Sequence, residues 1–230
     1  MSLHRPVRWF PEPAFPGRAF HRYNNLGQSL SIHQSAQGGT GMELQQAIRQ
    51  RRSIGKVEAR PVEKEKIERI LEAAVWAPNH HHTEPWKFFV MTGDGRRVLG
   101  RAYANAASDA LAGLDPEERE QKLSKEEAKA MRAPVVIAAA CSPSDNPRVI
   151  RSEELAAVHA AVQNLLLSAY EEGLGAVWRS GDPMHHPAMK SAFGLKDKEE
   201  LVGLIYIGYP DMTAPEGRRI SAKDKTFWVN

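Results

Sequence analysis

Apolar residues change their spacing several times along this 230-residue chain, and each change marks an expected element. Leu44, Ala47 and Ile48 fall at helical spacing and predict a short helix over residues 43–52, ending in Arg49, Arg51 and Arg52. Val62, Ile67, Ile70, Leu71, Ala74 and Val75 form an i, i+3, i+4 stripe, which predicts an amphipathic helix over 62–76 that Pro78 stops. Residues 87–91 (KFFVM) read as a strand closed by Gly93-Asp94-Gly95. Two polar helices follow, near 94–112 and 116–131, the second opened by Asp115-Pro116. Residues 134–140 (PVVIAAA) are apolar without a break, the pattern of a strand buried on both faces. Over 152–172, Ala, Leu and Val cover almost the whole helical circumference, so this helix belongs at the centre of a core or in a subunit interface. Gly173 followed by Leu174 predicts a Schellman stop. Residues 176–178 and 201–207 supply two more strands. Four strands with about six helices predict an α+β fold, a central mixed or antiparallel sheet flanked by helices.

Composition narrows the class. With 42% hydrophobic and 26% charged residues, the chain reads as an ordinary globular protein. No stretch approaches the ~20 apolar residues a membrane span needs, so no membrane partner is expected. The single cysteine, Cys141, excludes a disulfide scaffold and fits a reducing cytoplasm. The net charge of +3 is confined to the start of the chain, where Arg5, Arg8, Arg18 and Arg22 face only Glu12. Residues 1–41 are also rich in proline, glycine and aromatics and lack helical periodicity, which predicts an irregular leader, either dispensable or an arm against a partner subunit. A single domain is expected over 42–230. That domain has no basic excess, and four scattered arginines make a thin footprint for nucleic acid, so none is expected.

Most catalytic templates fail on these residues. Gly173-x-Gly175 lacks the third glycine of a dinucleotide fingerprint and precedes a strand where the fingerprint follows one. Cys141 ends an apolar strand, which favours a structural thiol over a nucleophile. His80-His81-His82 cannot turn three consecutive rings on one ion without an awkward backbone, and no ligand-spacing motif accompanies them, so no metal is expected. His185-His186 beside Pro187 are expected in solvent. Arg51-Arg52-Ser53 has two readings, a solvated basic helix end or a phosphate clamp made of two guanidiniums and a hydroxyl.

That tripeptide does not stand alone. Ala77-Pro78-Asn79-His80 follows it, then Glu84-Pro85-Trp86-Lys87, then Gly173-Leu174-Gly175-Ala176-Val177-Trp178-Arg179-Ser180-Gly181, and finally residues 201–210 (LVGLIYIGYP). In this order and spacing the four segments resemble the nitroreductase family of FMN-dependent oxidoreductases, over residues 42 to about 230. The resemblance implies an obligate homodimer with FMN at the subunit interface. Arg51, Arg52 and Ser53 would hold the ribityl phosphate and the polar flavin edge from one subunit, and His80 and Glu84 would reach the same FMN from the other. Trp178, Arg179 and Ser180 match the second flavin-contacting segment. It also implies ping-pong hydride transfer from NADH or NADPH through the flavin to a small-molecule acceptor such as a nitroaromatic or quinone, with no catalytic side chain. Relatives that fragment reduced flavin, dehalogenate substrates or bind FMN without turnover are the alternatives. Two departures stand out. Gly55 occupies a place that is often basic, with Lys56 next door, and Glu84 stands where a neutral polar side chain is common.

Overall fold

The structure, a computed structural model, describes residues 42–229. The expected leader, residues 1–41, lies outside the described residues.

A four-stranded antiparallel sheet organises the described chain. Its order is β1 (Trp86–Thr92), β2 (Val135–Cys141), β4 (Glu200–Gly208), β3 (Gly175–Arg179). β1 pairs with β2 from Trp86↔Cys141 to Thr92↔Val135, and β2 pairs with β4 through a register shift at Ala139/Ala140. All of β2 is buried, as its unbroken apolar run requires. Side chains alternate across the pleat, so Val135, Ile137, Ala139 and Cys141 enter one core while Val136, Ala138 and Ala140 enter another.

The first core lies under α2 (Lys64–Val75) and α5 (Arg151–Glu171). Ile67, Ile70 and Ala74 of α2 meet Val158, Ala161, Val162 and Leu165 of α5 there. Each fully buried Val or Leu stabilises this layer by roughly 1.5–3 kcal/mol. The opposite face is covered by α3 (Arg97–Ser108) and α6 (Pro187–Ala192), through Leu99, Ala102, Tyr103 and Met189. α4 (Pro116–Ala128) packs on α3, where Gly100 lets the Glu127 carbonyl come close. Asp115 caps α4 by accepting from the Glu117 and Glu118 amides, both at 3.1 Å.

α5 ends as its sequence predicts. Gly173 takes φ +75°, its N–H donates to the Tyr170 carbonyl (3.1 Å), and the Leu174 N–H donates to that of Ala169 (2.9 Å), a Schellman motif. Two expectations need correction. α1 (Leu44–Gln50) is shorter than the 43–52 expected, and Arg51 already has extended ψ. The chain unwinds because Ile54 buries against Gly175 and its N–H donates to the Ala176 carbonyl at 3.0 Å, a tertiary pairing that overrides local propensity. His186 is not simply solvated. It is half-buried, and its Nδ1 accepts the Ala188 N–H (3.2 Å) to cap α6, with Pro187 in the first helical position.

Candidate functional site

The Arg51–Ser53 segment runs beside the edge strand β3, where Ser53 forms a parallel bridge to Ala176. The two arginines part company here. The Arg52 guanidinium donates to the carbonyls of Arg49 (2.7 Å), Arg51 (2.8 Å) and Pro215 (3.1 Å), so it brackets the end of α1 to the C-terminal segment. The Arg51 guanidinium has no hydrogen bond or ion pair among the described residues. Partial burial, then the nearby Arg219 and Arg52 charges, hold its pKa below the ordinary arginine value. Three clustered cations with no carboxylate paired to them among the described residues make a local electrostatic deficit that an anion would relieve. Arg51 and Arg52 also line a cavity of about 150 Å³ with Ile54, Leu166, Tyr170 and Met212. Lys56, the neighbour of Gly55, is paired with Asp211 at 2.8 Å.

Trp178, Arg179 and Ser180 close β3. Trp178 points to the α5 side, its ring 5.6 Å from that of His159, and lies across Gly203, where any Cβ would run into the indole nitrogen. Arg179 points to the other face, its guanidinium carbon 5.4 Å from the Tyr206 ring. Tyr206 shares a buried hydroxyl contact of 3.2 Å with Tyr103, and desolvation pushes both phenols above their ordinary pKa. The Trp178 Nε1 and Arg179 Nε donors are buried without a protein partner. Ser180 is exposed at the strand end.

His80 and Glu84 lie just before β1, at the opposite edge of the sheet. Among the described residues no hydrogen bond or ion pair joins His80 or Glu84 to the arginine segment or to β3. The arginine segment and β3 sit together, and the His80–Glu84 loop sits apart. In that loop His81, His82 and Glu84 have φ of +61°, +51° and +46°, left-handed values, on either side of a right-handed Thr83, that no glycine eases. His80 Nδ1 lies 2.6 Å from a Glu153 carboxylate oxygen, and the Glu84 N–H donates to Asn79 Oδ1 (3.0 Å) while its side chain is exposed.

Residues 48–209 match the family model described as "Nitroreductase family". The chain belongs to the nitroreductase family. It is 34% identical over 201 residues to a Bacillus subtilis (strain 168) protein named "Putative NAD(P)H nitroreductase YfhC", covering 87% of this chain and 98% of that one. A nitroreductase-like family protein from Bacillus cereus superposes with a TM-score of 0.71 at 34% identity, over 83% of this chain and 98% of its own. A Desulfovibrio desulfuricans protein solved in complex with FMN is 28% identical with a TM-score of 0.60, over 78% and 92% of the two chains.

The residues present in this nitroreductase-family chain fit FMN in two ways. The arginine cluster has the charge and fork geometry a phosphate needs. The buried, unpartnered Nε of Arg179 is a donor that a polar ligand edge on its face of β3 would satisfy, whereas the Trp178 Nε1 lies against Gly203 on the other face. The 150 Å³ cavity admits a phosphate but not a three-ring system, since pockets for molecules of that size run to roughly 300 Å³ or more. Arg219 is the candidate that sequence reasoning missed. It lies 168 positions from Arg51 in an irregular tail, and no local pattern in the sequence joins the two.

Proposed function

We propose that this protein is an FMN-dependent NAD(P)H oxidoreductase that works as a homodimer on nitroaromatic, quinone or similar small acceptors. The observation that carries this reading is the Arg51–Arg52–Arg219 cluster, without a carboxylate partner among the described residues, beside a β-strand that ends in two buried unpartnered donors. The chemistry supplied by bound FMN is hydride transfer from NADH or NADPH to an oxidised acceptor.

The chain's own residues supply anchoring and electrostatics. Arg51 and Arg219 hold the phosphate as cations, and Ser53 adds a hydroxyl donor at the edge of β3. Arg52 fixes the C-terminal segment that carries Arg219 into place through Pro215. The end of β3 at Trp178, Arg179 and Ser180 borders the polar edge of the flavin, with Arg179 as its side-chain donor. His80 and Glu84 come from a second copy, in agreement with their position at the far edge of the sheet. Substrate selection falls to the surface built by α3 and α4. A cavity of about 830 Å³ lies there against α4 and the segment before it, lined by Ala112, Leu114, Arg119, Leu123 and Glu127.

The test is the absorbance spectrum of the purified protein. It should show bound flavin and bleach anaerobically on adding NADH or NADPH. A colourless protein that cannot be reconstituted with FMN overturns the reading. Bound FMN that neither nucleotide reduces would make the chain a flavin-binding homologue without turnover.

A further inference from the structure

We propose that Glu154 is a positioning residue for the cofactor site: its buried carboxylate clamps the strained His80–Glu84 loop to the start of α5 and so fixes where His80 is presented. The proposal rests on the FMN reading above. Glu154 is 1% exposed, yet it takes part in no ion pair among the described residues. One carboxylate oxygen accepts the Thr83 hydroxyl, and the other accepts the Ser144 N–H at 3.0 Å. The carboxylate therefore ties two separate loops, one before β1 and one before α5, to a single helical turn. Its place in the first turn of α5 lets the helix N-terminus support the charge.

Packing alone does not explain an acid here. Burying a carboxylate without a cation is unfavourable, and a leucine would fill the same volume without that cost. The loop it holds explains the choice. Left-handed φ at His81, His82 and Glu84 is unfavourable for side chains other than glycine, so the conformation persists only where surrounding contacts impose it. Those contacts are Thr83 to Glu154, Glu84 N–H to Asn79, and His80 to Glu153, with the Ser142 N–H donating to the Pro85 carbonyl at 2.7 Å behind them. Glu154 is the buried member of this set. The exposed Glu153–His80 contact, with the His80 side chain 61% accessible, is too open to hold the backbone by itself.

The experiment measures FMN dissociation constants and flavin midpoint potentials for the full-length wild type, Glu154→Ala, Thr83→Val, the double variant and Glu154→Gln. Glu154→Ala and Thr83→Val should each weaken FMN binding by about tenfold, the scale of one hydrogen bond to a buried charge. The double variant should be little worse than either single one, because both cut the same contact. Glu154→Gln should recover most of the affinity, since its amide can accept from Ser144 and donate to the Thr83 oxygen. Met189→Ala, a buried change on the far side of the sheet, controls for general destabilisation and should keep both affinity and potential. FMN binding by Glu154→Ala and Thr83→Val within about twofold of wild type overturns the positioning role, as does an equal loss in Met189→Ala. Wild-type protein that takes up no FMN removes the cofactor reading itself and this proposal with it.

Discussion

Glu199 offers a quantitative test of how the sheet is held at the end nearest the β1 start. Its carboxylate is 2% exposed and accepts from Lys87 Nζ (2.5 Å), Ser142 Oγ (2.6 Å) and the Lys196 N–H (2.9 Å). The Lys87 hydrogen bond, followed by those of Ser142 and Lys196, brings its pKa down from 4.5 to about 2. A folded pKa below the unfolded one contributes stability that is fully present above the unfolded value and disappears as the pH falls through the folded value. At ~1.4 kcal/mol per pKa unit the full shift corresponds to roughly 3 kcal/mol. Lys87 remains 44% accessible, so solvent screens its share, and about 2 kcal/mol is the figure to test. Glu199→Gln, followed by urea unfolding at several pH values, reads this directly. The variant should be about 2 kcal/mol less stable than wild type at pH 7, and under half of that gap should survive near pH 3. A gap of the same size at both pH values, or none at pH 7, would refute the electrostatic account and leave only packing.

Other outcomes follow from single contacts. Arg51→Ala should lower FMN occupancy far more than Arg101→Ala on the exposed face of α3, and equal occupancy by absorbance would mean that the phosphate assignment is wrong. Gly203→Ala places a Cβ against the Trp178 indole nitrogen and the Arg179 carbonyl, so it should cost about 1–3 kcal/mol in thermal unfolding. Burial pushes the Cys141 thiol up to about 11, which leaves almost no thiolate at pH 7. A disulfide reagent should therefore label it only after unfolding, and rapid labelling of the native protein would contradict its burial. Leu165→Ala, at a fully buried position of α5, should lose about 2–5 kcal/mol by chemical denaturation.

Periodicity located the long elements well because their burial is set locally. β2 is apolar on both faces and lies between two cores. α5 is apolar all round and touches the sheet, α2 and α1. The expected ranges for these two, 134–140 and 152–172, differ by one residue from Val135–Cys141 and Arg151–Glu171. α6 has no such signal, since six residues are too few to show a period, and its start is fixed by a histidine cap that reads from sequence as a solvent-facing pair. The end of α1 misled for a different reason. Arg51 and Arg52 are good helix formers, but the pairing of residues 53 and 54 with β3 unwinds the chain just before them.

Sequence by itself determined the class of the molecule: the short apolar runs that make four strands, the helical stripes that cover them, and the ordered segments that resemble one family. These are local because side-chain polarity at fixed spacing decides which face can leave water. Tertiary structure decided which candidates share a site. It joined Arg219 to Arg51 and turned Arg52 into a bracket. It set His80 and Glu84 beside β1, the edge strand opposite β3, and it buried Glu154 under a strained loop. The reason is physical: charge clusters, unpartnered donors and left-handed backbone arise only where segments far apart in the chain exclude water together. No spacing along the sequence records which segments those will be.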